Sequence, residues 1–168
     1  MSRRVSAGIM LYRQHGGEIE VLLAHPGGPF FAGRDLGHWT IPKGEPDSTD
    51  DLPAAAAREF AEETGHSIAA VARDPLAEPV PLGSVTQASG KVVHAWAVEG
   101  DLDPEAATSN TFSMVWPPGA SSPRTFPEID RVAWFTIHEA RRRTNRSQEA
   151  FVERLAAFLA VGHGDEAG

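Results

Sequence analysis

Hydrophobic and polar residues along this chain repeat with two periods, and the period changes where one element gives way to the next. Residues 5–12 set Val5, Ala7, Ile9 and Leu11 against Ser6, Gly8, Met10 and Tyr12, the two-residue alternation of a β-strand. His15-Gly16-Gly17 is a turn signal. Residues 19–24 follow as a nearly unbroken apolar run, which predicts a buried strand paired antiparallel with the first at the sheet centre. Residues 82–87 and 91–99 predict a hairpin turning over Ala88-Ser89-Gly90. In its second strand Val92, His94, Trp96 and Val98 share one face, and Val93, Ala95 and Ala97 the other. Residues 111–116 and 132–137 add two strands.

The longer period marks three helices. The first runs to Gly65: Asp50 or Asp51 can cap its start, Pro53 is tolerated in the first turn, and Gly65 suits its end. Alanines 54–57 let it lie close to a neighbour, and Phe60 continues an apolar stripe with Ala56, Ala57 and Thr64. Thr136 and Glu139 form a capping box for a short second helix through Arg141, Arg142 and Arg143. Ser147 is the expected cap of the last helix, in which Phe151, Leu155, Phe158 and Leu159 make the apolar stripe and Gly162 the stop. This predicts one domain over residues 1–162 and a flexible tail over 163–168. Residues 25–37, 67–81, 100–110 and 117–126 read as connectors, with a helical turn at 104–107; the 117–126 loop is of the kind that moves over a substrate.

Composition narrows the class. The chain has 168 residues, 41% of them apolar, and no cysteine, so disulfides and thiolate metal sites are excluded and a reducing, cytoplasmic setting is expected. No apolar run is long enough to span a membrane. A formal charge of −8 argues against nucleic-acid polymers and anionic membranes as partners. Thirteen arginines stand against two lysines, Lys43 and Lys91.

Candidate chemistry concentrates in the first helix. Glu59, Glu62 and Glu63, at i, i+3 and i+4, share one face, and Arg58 stands four residues before Glu62. Such a run is commonly a solvated acidic face; the same oxygens also suit a hard divalent cation. Lys43, at the edge of the preceding loop, can hold a phosphate as a point charge. Arg34 lies in a loop with Phe30 and Phe31, which either stacks a base and touches a phosphate or plugs the core edge. Arg124 is a candidate phosphate contact from the 117–126 loop. His94 reads as a sheet histidine rather than a ligand.

The segment from Gly44 to His66, GEPDSTDDLPAAAAREFAEETGH, resembles the Nudix box, G-x5-E-x7-R-E-U-x-E-E-x-G-U with U apolar. Gly44, Arg58, Glu59, Phe60, Glu62, Glu63 and Gly65 stand at its required positions. From average residue usage a chance match of seven is on the order of one in 10⁵, and the solvated-face reading loses. Asp50 stands where the box has its first Glu, and His66 where it ends on an apolar residue. The resemblance implies an α/β/α sandwich with a mixed central sheet, the box helix on one face and the terminal helix on the other.

It also implies a hydrolase that cleaves a nucleoside diphosphate linked to another group. Glu59, Glu62, Glu63, the Gly44 carbonyl and Glu128 are its implied ligands for Mg²⁺ or Mn²⁺. Glu128 precedes a Trp-containing strand by the spacing seen in several members of the family. Glu59 or Glu128 would be the base, with Arg58 orienting Glu59. The form W-x-x-P-K-G over residues 39–44 resembles enzymes of dinucleoside polyphosphates. ADP-ribose, oxidised nucleoside triphosphates, or a non-catalytic nucleotide-binding module are the alternatives. Members of the family are often homodimers.

Overall fold

The computed structural model describes residues 4–47 and 50–166, with side chains through Val161. Strands β1 (Val5–His15) and β2 (Glu18–Pro26) form the expected antiparallel pair. β4 (Val80–Thr86) and β5 (Val92–Glu99) form the predicted hairpin, and β5 runs parallel to β1 with Ala7 opposite His94 and Tyr12 opposite Glu99. With β8 (Ile129–Thr136) on the far side of β2, the sheet reads β4-β5-β1-β2-β8, and the two-residue β3 (Lys43–Gly44) pairs with β1 through Ala7 and Gly8. The sheet is mixed because β1 and β5 run together while their other partners oppose them.

Alternation along the strands loads both faces. On one face Met10, Tyr12, Val21, Leu23, Val93, Ala95 and Ala97 pack with Phe151, Val152 and Leu155 of helix α4 (Glu149–Glu166). On the other, Ala7, Ile9, Leu11 and Leu22 pack with Ala55, Ala56 and Phe60 of helix α1 (Leu52–Thr64). Burying both sheet faces in this way gives the α/β/α sandwich. Helix α2 (Ile68–Val71) lies in the expected connector, capped by Ser67, and helix α3 (Ile137–Arg143) opens on Thr136, whose side chain accepts from the Glu139 N–H.

Three expectations are corrected. The stretch expected as a mobile loop contains a strand, β7 (Pro123–Pro127), which pairs with β6 (Thr111–Val115) in a separate two-stranded sheet. Proline is tolerated there because β7 has only one neighbour. Ser147 does not cap α4; Asn145 caps a 3-10 turn (Arg146–Gln148) and accepts from the Ser147 N–H at 2.9 Å. The final helix passes Gly162 and continues to Glu166, since glycine lowers helix propensity without necessarily stopping the helix. The last two residues of the expected 163–168 tail, and all its side chains, lie outside the described residues. Among the described residues no helix is long and apolar enough to cross a membrane.

Candidate active site

Local chemistry fixes α1 in place. Asp51 accepts from the Ala54 N–H at 2.8 Å, Pro53 sits in the first turn, and Gly65 closes the helix in the left-handed conformation with φ +76°. Phe60 and its alanines face β1, so the helix turns Glu59, Glu62 and Glu63 towards β3 and its approach loop. Main chain at Gly44 lies hard against Glu59: a Cβ there would fall inside the Glu59 carboxylate, so any other residue displaces that side chain. Next to it, the Lys43 backbone N–H donates to Glu63 Oε2 at 3.1 Å.

The three acids are not equivalent. Glu63 is 9% exposed and Glu59 12%, whereas Glu62 keeps 38%. Burial pushes the Glu63 carboxyl up to about 8, against the opposing pull of the Lys43 N–H and ammonium. Burial, then the Glu62 charge, raises Glu59 above the usual carboxylate range, with Arg58 opposing. Arg58 is the local counter-charge. Its Nη1 donates to Glu59 at 3.0 Å and Glu62 at 3.3 Å, its Nε to Asp50 at 3.1 Å and its Nη2 to the Glu45 carbonyl at 3.2 Å. The shorter Asp50 therefore still ties loop to helix. His66 satisfies itself locally, with Nδ1 2.9 Å from the Thr64 carbonyl.

Glu128 reaches this region through a strap of backbone bonds. Asn110 donates to the Glu62 carbonyl at 3.0 Å, and Glu128 donates to the Asn110 carbonyl at 2.8 Å. Ser109 Oγ holds Ile129 from both sides, at 3.0 and 3.1 Å. The result puts Glu128 near enough for its charge to raise both Glu59 and Glu63. Asp130 is engaged elsewhere: its Oδ1 lies 2.9 Å from Nδ1 of buried His25, whose Nε2 lies 2.6 Å from the Arg34 carbonyl. Sequence reading missed Ser109 and Asn110, because a strap of main-chain bonds and one serine hydroxyl leaves no motif.

Both lysines arrive at the same spot. Lys43 pairs with β1 beside the acids; burial, then the neighbouring Lys91 charge, lowers its pKa. Lys91 stands 3.5 Å from Glu45, which also takes the Arg4 guanidinium at 2.6 Å. Lys43 is thus no solvent lysine. Arg34 and Arg124 lie apart from the acids on exposed segments, Arg34 in the β2–β3 loop and Arg124 over the Phe126 ring at 5.5 Å. His94 stacks on Trp96 with centroids 6.4 Å apart.

Among the described residues no three His, Asp or Glu side chains stand as a ready-made metal cage. The donor set nonetheless fits a hard divalent cation. It offers only oxygen, one of its acids is buried and a second partly buried, both are raised, and a glycine main chain lies against one of them. The arrangement offers carboxylate oxygens to a cation between α1 and β3.

Comparison with known proteins gives the family and the fold. The 8-oxo-(d)GTP phosphatase of Mycolicibacterium smegmatis is 32% identical over 126 residues, 67% of this chain. The chain spans only about a third, 34%, of that relative's length. Among solved structures, a C. elegans Ap4A hydrolase binary complex matches with TM-score 0.64 and 22% identity, over 92% of this chain and 98% of the other. The NUDIX domain of Shewanella oneidensis NrtR complexed with ADP ribose matches with TM-score 0.63 and 17% identity, over 95% and 90%. At those identities the structures speak for the fold. The NUDIX domain model matches residues 2–155, and this chain belongs to the NUDIX family.

Proposed function

We propose that this chain is a divalent-cation-dependent pyrophosphohydrolase that cleaves a nucleoside diphosphate linked to another group, with a dinucleoside polyphosphate as favoured substrate. The observation that carries the reading is the pair of acids, buried Glu63 and partly buried Glu59, packed against Lys43 and Gly44 with Arg58 beside them. Burying two carboxylates side by side costs stability, and a cation-binding role accounts for that cost. Family membership supports the reaction class.

In this reading Glu59, Glu62, Glu63, the Gly44 carbonyl and Glu128 hold one to three Mg²⁺ or Mn²⁺ ions. Those ions would neutralise the pyrophosphate and lower the pKa of the attacking water. Glu59 or Glu128 takes the proton; burial raises Glu59, which makes it a stronger base than an ordinary carboxylate. Arg58 fixes the Glu59 rotamer through its Nη1, a positioning role. Lys43, with Lys91 beside it, meets a non-reacting phosphate. Arg34 and Arg124 serve substrate parts further out.

Two neighbouring lysines in a chain with no others support a long phosphate tail, as does the W-x-x-P-K-G form. Oxidised nucleoside triphosphates are the second reading, favoured by the mycobacterial relative. The test is product identification with Mg²⁺ and with Mn²⁺ over diadenosine polyphosphates, ADP-ribose, nucleotide sugars, and normal and oxidised nucleoside triphosphates. Cleavage of the diadenosine compounds with the highest kcat/KM is the expected result. Highest kcat/KM on an oxidised triphosphate would select the second reading, and nucleotide binding without turnover would remove the hydrolase.

A further inference from the structure

The β2–β3 loop and the β6–β7 hairpin meet in a surface whose aromatic side chains have no part in the reaction described above. Phe30 is 63% exposed and Phe31 38%, so the loop aromatics do not plug the core. Phe30 packs edge to face on half-buried Trp116, with ring centroids 5.2 Å apart at 70°. Such a pair fixes both rings and leaves ring faces uncovered. The loop is pinned behind its tip, by His25 on the Arg34 carbonyl and by Arg143 on Asp35 at 2.7 Å, and its Gly28 lies against the Phe112 ring. The exposed rings therefore stand on a held frame.

This surface is continuous with the candidate active site. Gly27 donates to the Glu128 carbonyl at 2.8 Å, and Phe30 is three residues further on, no more than about 11 Å of extended chain. A ribose and one or two phosphates bridge a gap of that size. Arg124, over the Phe126 ring, adds positive charge to a chain whose formal charge is −8. Docking of a second copy by strand addition is opposed by Pro123 and Pro127 at the two ends of β7.

We infer that Phe30 and Trp116 form the stacking platform for the base of the nucleotide whose phosphates lie against Glu59, Glu63 and Glu128. The inference rests on the nucleotide-hydrolase reading for the position of those phosphates. Stacking tolerates any base, so the platform recognises a nucleobase as a class and leaves identity to its edges.

The test is tryptophan emission of the full chain titrated with the four nucleoside monophosphates and with ribose 5-phosphate, which lacks the base. Saturable quenching by at least one monophosphate and none by ribose 5-phosphate is expected. Phe30→Ala should weaken that binding by about tenfold or more and Phe30→Trp should restore it. Trp116→Phe should remove the signal while isothermal titration still detects the nucleotide. Circular dichroism checks that each variant folds.

Equal response to ribose 5-phosphate, no response to any monophosphate, or unchanged affinity in Phe30→Ala overturns the inference. So does a Phe30→Ala protein that changes only its sedimentation, which would make the surface a contact between copies. Base-dependent quenching by a chain that hydrolyses nothing would keep the platform and remove the hydrolase. Hydrolysis with unchanged KM in Phe30→Ala would do the reverse.

Discussion

Glu63 carries the largest electrostatic consequence of any single side chain here. Its carboxyl, pushed up to about 8 by burial, prefers to be protonated in the folded chain and ionised in the unfolded one at neutral pH. Stability from this group is therefore complete below the unfolded value near 4.5 and is lost as the pH rises through about 8. Under chelator, urea unfolding should show the chain weaker at pH 9 than at pH 5 by on the order of 2–5 kcal/mol. Glu63→Gln should flatten that slope. A divalent cation selects the ionised form, so its binding at pH 7 should release close to one proton, measurable by calorimetry in buffers of different ionisation enthalpy. Arg58 presents its fork to Asp50, Glu59 and Glu62 together, which an ammonium cannot reproduce. Arg58→Lys should lower kcat by about 10–100-fold with little change in fold.

Packing of α1 on β1 and β3 brings these residues together, and its parts differ in how legible they are. The helix was written in the sequence: a cap at Asp50 or Asp51, of which the structure uses Asp51, Gly65 at its end, and Phe60 with small residues on the buried side. Phe60→Ala should cost about 3–5 kcal/mol in denaturant unfolding, because Phe60 is fully buried against β1. Gly44→Ala should spare most of that stability and still cost kcat heavily, since the new methyl displaces Glu59. Strand β7 was hidden because four prolines and a glycine interrupt 117–127, and period alone cannot separate an exposed edge strand from a loop. Ser147 misled because Asn145, two residues earlier, offers the same capping oxygen to a 3-10 turn instead.

At the scale of the molecule, two faces of one sheet do different work. The α4 face is a core, with Phe151, Val152 and Leu155 fully buried; the α1 face is a core edged by carboxylates. Most of the order of elements followed from alternation and periodicity, and the sandwich from the resemblance to the Nudix box. The convergence of Glu128 on α1 did not, because it depends on backbone bonds from Glu62 to Asn110 to Glu128 that cross long stretches of chain. Nor did the meeting of Lys43 with Lys91, which β1 brings about by pairing with both β3 and β5.

Central to the account is that buried carboxylates on α1 serve hydrolysis through a divalent cation. The most direct measurement is kcat of the parent and of Glu63→Gln on the same cleaved nucleotide, with Mg²⁺ and with chelator, after matched circular dichroism. The account predicts activity that chelator abolishes and that Glu63→Gln lowers by about 10²-fold or more at unchanged fold. A folded Glu63→Gln protein with parental kcat, or parental turnover under chelator, would contradict it.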